Sequence, residues 1–500
     1  MVGATLAVSA LGIWIVSSRL DLDASLVDDW SALAQSPGQL HDMFRLAYHE
    51  SGRFRPGFVV WNYLQWHTFG APASLVGPNF WGIMRLVLLA AGLAAVTALL
   101  LRTRSAVLPP RWELALAAVP PLLVLTTPKF GVDLARFGPQ EPALIGGMML
   151  GGSLLVLGTR DLTRPTATAR RARTVALLSI GYLLWLYGVY QKETSVCVLL
   201  LVPFFLRGHR GWLGRIRALP KPRRVALGAI AALVVLPLVH VGYETIAIAH
   251  RGELVYGMRV PSGSHAFVLF KDALEKMSGV LGSQVGWALV IAVAVGIVIS
   301  AVLRRPNWSV VGLFVTAVAA LAWSSQSGFA AAPQGSRYLM PTIALLAVAV
   351  ALLIGSVPRA PRLIAVGAVV LIAALSVSDA HRDVEKWAAT ERQENAFVDA
   401  AARAQATGCP VVVTGLDLER QIALPILVKL QGRVRQTCAA RSLFVASGTS
   451  DPDPALADTC APKGRSLVGI WRLALERIAL TRCAGVAPGA EAIVQQNQVN

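Results

Sequence analysis

Long apolar runs recur along almost the whole of the first 378 residues, and short arginine-rich stretches interrupt them. A chain built this way has few folding options. A spanning helix needs about 20 apolar residues, and a backbone crossing lipid must satisfy its own hydrogen bonds. The runs place spans at 1–18, 79–101, 112–127, 143–159, 174–190, 194–206, 225–249, 279–303, 307–323, 338–356 and 361–378. The expected fold class is therefore an all-α polytopic membrane protein with about eleven transmembrane helices. The first run lacks a basic start and a small-residue cleavage site, so it reads as a retained anchor. Hydrophobic residues make up 55% of the chain, more than a soluble exterior of this size accommodates.

Charge orients the spans. The formal charge is +18, which in a soluble chain would point to nucleic acid. Here the arginines lie between apolar runs, so nucleic acid is not expected as a partner and anionic lipid is. Basic clusters fall at 102–111, 160–173, 207–224, 304–305 and 359–362. They alternate with the spans if the N-terminus is cytoplasmic. Residues 19–78, 128–142, 250–278 and 324–337 then face outward, as does 379–500. Arginine outnumbers lysine and alanine is abundant, a bias of GC-rich bacterial genomes, so a bacterial plasma (inner) membrane is expected.

The tail reads as a small extracytoplasmic α/β domain. Residues 383–406 repeat apolar positions at helical spacing and end at Gly408; Pro410-Val-Val-Val-Thr414 is strand-like. Cys409, Cys438, Cys460 and Cys483 all fall there, and an oxidising compartment would pair them. Four cysteines allow three pairings, all open from sequence; sequential pairing is the working expectation.

The first outward segment carries the densest set of reactive groups. Asp21 and Asp23 follow the first run, and their hard oxygens suit a divalent cation such as magnesium, manganese or calcium. Asp28-Asp29-Trp30 comes next. Ser36 and Pro37 then start a helix whose Leu40, Met43, Phe44, Ala47 and Tyr48 form one apolar stripe, suited to lying on a membrane surface. Arg53-Phe-Arg55-Pro56 and the aromatics Trp61, Tyr63 and Trp66 follow. Elsewhere, Lys192-Glu193 sits between two apolar runs, where charges face a polar cavity and find partners. Arg136-Phe-Gly-Pro-Gln-Glu141 and Arg337-Tyr-Leu-Met-Pro341 lie at outer ends of spans. No Walker or dinucleotide-binding motif occurs.

An acidic pair beyond a first span, a surface helix, an Arg-Pro element, many spans and an outer tail together resemble the membrane glycosyltransferases of the C-type fold. That resemblance implies a catalytic membrane domain over 1–378 and a tail domain over 379–500. It implies transfer of a sugar from a polyprenyl-phosphate donor to an extracytoplasmic glycan, lipid or protein acceptor. Asp29 or Asp28 would be the general base. Arg53, Arg55, Arg337 and Lys192 would hold the donor phosphate, and Trp30, Arg136, Glu141 and Glu193 would line the substrate site. Two other classes compete with this reading: a transporter or flippase of lipid-linked saccharides, and a non-catalytic cell-envelope assembly protein.

Overall fold

The computed structural model describes residues 2–19, 55–60, 76–104, 108–135, 140–163, 171–208, 214, 216–250, 263–280, 293–298, 307–325 and 336–406, with strands at 411–414, 443–446, 467–472, 477–482 and 493–495. Its helices are α1 (Val2–Ile15), α2 (Val76–Arg104), α3 (Pro110–Leu125), α4 (Phe130–Ala135), α5 (Glu141–Leu162) and α6 (Arg171–Val189). A 3-10 helix, Glu193–Leu200, leads into α7 (Leu201–Gly208). Then come α8 (Lys221–His250), α9 (Gly263–Val280), α10 (Trp308–Ser325), the 3-10 turn Ser336–Leu339, α11 (Met340–Ser356) and α12 (Arg359–Ala406).

Among the described residues, seven helices are long and apolar enough to cross a membrane: Gly82–Arg102, Glu141–Leu162, Arg171–Val189, Lys221–Ile248, Trp308–Ser325, Arg337–Ser356 and Arg359–Ala389. They match seven of the eleven expected spans. The remaining four differ. The run 1–18 holds a 14-residue helix, and 112–127 a 16-residue helix containing Pro120 and Pro121. The run 194–206 is split between the 3-10 helix and α7. Within 279–303, residues 281–292 and 299–303 lie outside the described residues.

The bundle is organised around α11, which is apolar on every side and buried from Met340 to Leu352. Leu86, Leu89 and Leu93 of α2, Leu116 of α3 and Leu313 of α10 belong to the same core. A helix apolar all round belongs at the centre of such a bundle. By contrast, α8 leaves Leu233, Leu236 and Val239 exposed, and α12 leaves Ile364, Leu371 and Leu375 exposed. These are the faces available to lipid. Some buried hydroxyls return to their own helix: Thr97 Oγ1 donates to the Leu93 carbonyl at 2.7 Å and Ser153 Oγ to the Met149 carbonyl at 2.7 Å. Without water, that is the nearest acceptor.

Helices α5 and α6 approach closely through glycine. A Cβ on Gly188 would lie 2.5 Å from the Met148 backbone nitrogen, and one on Gly151 would lie 2.5 Å from that of Trp185. Small residues at helix crossings let backbones meet in apolar surroundings. The crossing brings the start of α5 and the end of α6 to the same end of the bundle.

Helix α12 runs unbroken for 48 residues. The expected span 361–378 and tail helix 383–406 are thus one rod, because Asp379-Ala-His-Arg382 contains no glycine or proline to stop it. Beyond the apolar part, His381 stacks on Trp14 with ring centroids 4.4 Å apart. Lys129 Nζ lies 3.6 Å from Asp383 Oδ2. These contacts tie the rod to the end of α1 and to the turn just before α4.

The tail strands β1 (Val411–Thr414), β2 (Leu443–Ala446), β3 (Leu467–Arg472), β4 (Arg477–Arg482) and β5 (Ile493–Gln495) form one sheet in the order β2-β1-β3-β4-β5. Strand β1 pairs parallel with β2 and β3, while β4 is antiparallel to β3 and β5. The strand expected at 410–414 is β1. Cys409, Cys438, Cys460 and Cys483 lie outside the described residues.

Candidate functional site

Charged residues that the sequence scatters over almost 300 positions meet at the end of the bundle created by the α5–α6 crossing. Helix α6 stops at Val189, and Lys192 takes an extended conformation before the 3-10 helix begins. That break has a physical cause. Lys192 and Glu193 are adjacent, and an apolar interior offers neither a partner along a continuous helix. Leaving the helix lets each find a different one.

Lys192 Nζ donates to Glu141 Oε1 at the first turn of α5. Glu193 turns to Arg55, which holds both carboxylate oxygens, Nε to Oε1 at 2.9 Å and Nη2 to Oε2 at 3.0 Å. The fork of a guanidinium matches a carboxylate in this way, and an ammonium cannot. The Lys192 and Glu141 side chains are 7% and 2% exposed, and those of Arg55 and Glu193 are each 13% exposed. Burial this deep is tolerated because every charge has a partner; removing one member costs several kcal/mol.

Arg55 is held by a backbone contact. The Gly57 amide donates to the Tyr190 carbonyl at 3.0 Å. A Cβ at Gly57 would stand 3.0 Å from that same carbonyl group, so glycine is what lets the two segments touch.

The 3-10 turn before α11 completes the cluster. Lys192 Nζ lies 3.8 Å from the centroid of the Tyr338 ring. Arg337 Nη2 donates to the Tyr338 hydroxyl at 3.3 Å, and its guanidinium lies 5.1 Å from the ring. Arg337 also attracts Glu141 electrostatically. Among the described residues, three cations (Arg55, Lys192, Arg337) and two carboxylates (Glu141, Glu193) therefore meet here.

Neutral polar groups surround the cluster. Among the described residues, Gln140 Oε1, Glu141 Oε2, Gln191 Nε2, Thr194 Oγ1 and Ser195 Oγ are buried without a hydrogen-bond partner. Each such atom costs about 1–3 kcal/mol in a dry interior. Their concentration on 140–141 and 191–195 marks a place meant to be completed by something else.

Of the residues expected from sequence, Arg55, Glu141, Lys192, Glu193 and Arg337 come together here. Asp21, Asp23, Asp28, Asp29, Trp30, Arg53 and Arg136 lie outside the described residues. Among the described residues, no group of three or more His, Cys, Asp or Glu could hold a metal. Lys192 and Glu193 do not pair with each other, and Glu141 is matched by Lys192. Sequence reasoning missed Gln140, Gln191 and Tyr338 as participants. Their only signal was adjacency to the charged residues already singled out.

No family model matches the chain, and no curated protein matches it by sequence. Among solved structures, the chain aligns with ArnT from Cupriavidus metallidurans bound to undecaprenyl phosphate. That alignment has 13% identity and a TM-score of 0.46, and covers 98% of this chain and 99% of that one. It also aligns with the Archaeoglobus fulgidus oligosaccharyltransferase in complex with zinc and sulfate. There the identity is 13% and the TM-score 0.48, over 85% of this chain and 61% of the other. At these TM-scores neither alignment assigns a role to a residue here.

Proposed function

We propose that the chain is an integral membrane glycosyltransferase that takes a sugar from a polyprenyl-phosphate carrier and passes it to a glycan, lipid or protein acceptor on the extracytoplasmic side. The observation that carries this reading is the cluster that gathers Arg55, Lys192 and Arg337 with two carboxylates at one end of an apolar bundle. A carrier with an apolar tail and an anionic head requires that pairing of environments.

The chemistry follows from the charge that develops. As the glycosidic bond breaks, the carrier's phosphodiester becomes a phosphomonoester and gains negative charge. Lys192 and Arg337, fixed beforehand against Tyr338, would stabilise that charge without reorganising. Arg55, clamped by Glu193, would hold the phosphate in place, with Arg53 assisting. Asp29, or its neighbour Asp28, would take the proton from the acceptor hydroxyl as the new bond forms, inverting the anomeric centre. Asp21 and Asp23 supply oxygen ligands for a divalent cation beside them. Trp30 and Arg136 would complete the substrate site, and residues 379–500, as a disulfide-bonded α/β domain, would cover it from outside.

The test uses full-length chain in vesicles, with sugar transfer and carrier binding measured separately. Asp28→Asn with Asp29→Asn should abolish transfer and leave carrier binding intact. Arg337→Gln should weaken carrier binding about tenfold or more, the scale of one charge-assisted hydrogen bond. Unchanged transfer in the aspartate variant would remove the assigned base. Movement of the lipid-linked saccharide across the vesicle, with no transfer by the wild-type chain, would favour a transporter instead.

A further inference from the structure

The cationic cluster accounts for an anion, but it leaves the neutral atoms beside it unexplained. Gln140 and Gln191 immediately precede Glu141 and Lys192, which are paired with each other. The two carboxamides therefore stand next in sequence to the two members of one ion pair, Gln140 at the N-cap of α5 and Gln191 in the turn between α6 and the 3-10 helix. Both are buried, Gln140 at 8% exposure and Gln191 at 2%. Gln140 occupies the N-cap position of α5 yet makes no capping hydrogen bond with its side chain. Its Oε1, the Nε2 of Gln191 and the Oε2 of Glu141 have no hydrogen-bond partner among the described residues.

These atoms form a mixed set of two acceptors and one donor. A phosphate or carboxylate offers acceptors only, so it would leave Gln140 Oε1 and Glu141 Oε2 unmatched. An ammonium offers donors only, so it would leave Gln191 Nε2 unmatched. A hydroxyl both donates and accepts, so vicinal hydroxyls can satisfy all three atoms. We infer that Gln140, Gln191 and the free oxygen of Glu141 read the hydroxyls of an uncharged sugar, next to the cations that take its phosphate. This deepens the glycosyltransferase reading and rests on it: the donor would carry a neutral hexose or pentose. Discrimination of this kind is strong because a missing hydroxyl strands buried polar atoms.

The experiment measures binding of three carriers to the full-length chain in nanodiscs: bare polyprenyl phosphate, polyprenyl-phosphate glucose and polyprenyl-phosphate glucosamine. The wild-type chain should bind the glucose carrier about tenfold more tightly than the bare carrier, the increment of one or two buried hydrogen bonds. Gln140→Met and Gln191→Met preserve volume. Each should erase most of that increment and keep bare-carrier affinity within about twofold. Gln191→Glu replaces the donor with acceptors, so its preference should move toward the glucosamine carrier.

An unchanged increment in both methionine variants would overturn the inference. So would an equal loss of bare-carrier affinity, which would make the amides supports of the phosphate site. A wild-type chain that does not distinguish glucose carrier from bare carrier would also overturn it. If the increment behaves as expected and no sugar is transferred, the transferase reading fails while the hydroxyl-reading pair stands.

Discussion

Lys192 and Glu193 are neighbours in sequence that serve different partners, and the energetics of the site follow from that division. Lys192→Met leaves Glu141 buried with only the more distant cations Arg337 and Arg55. We expect this to destabilise the protein by about 3 kcal/mol, the low end for a broken buried pair, because Arg337 still compensates part of the charge. Adding Glu141→Gln should recover most of the loss, read as a coupling energy in thermal unfolding of the purified protein. At the second pair, Arg55→Lys keeps the charge but cannot span both oxygens of Glu193. Sugar transfer should fall about tenfold with little change in folding, measured in vesicles.

Elements rather than single residues bring these charges into register. The start of α5 and the end of α6 coincide because glycines let the two helices cross at backbone contact. Gly188→Ala places a methyl 2.5 Å from the Met148 backbone nitrogen, which cannot move aside as a flexible side chain would. The expected cost is about 1–3 kcal/mol, seen as a lower thermal midpoint in detergent. Because the crossing sets the distance between Glu141 and Lys192, carrier binding should weaken in the same variant. Glycine spacing in 141–162 and 171–189 was visible in the sequence, but the partner of each glycine was not. The same holds for the split of 194–206 into a 3-10 helix and α7. Hydropathy sees an apolar run there; the pull of Glu141 and Arg55 on Lys192 and Glu193 accounts for the break that precedes it.

In the α5–α6 pair the buried cluster lies at one end and arginines lie at the other. Arg160 and Arg171 lie at the ends of α5 and α6 remote from Glu141 and Lys192. In a bacterial membrane, alkaline phosphatase fused after residue 406 should be active, and the same reporter fused after residue 214 should be inactive. The reverse pattern would place the cluster on the cytoplasmic face. Seven spans and their order could be read from apolar runs, because lipid imposes a length and an apolar composition segment by segment. So could the candidacy of Arg55, Glu141, Lys192, Glu193 and Arg337, since charge at a span boundary is expensive and needs a reason. Which charge pairs with which, the role of Tyr338 and the unmatched amides of Gln140 and Gln191 came from packing alone. Hydropathy is local to a segment, whereas a buried hydrogen bond depends on which distant segment arrives opposite it.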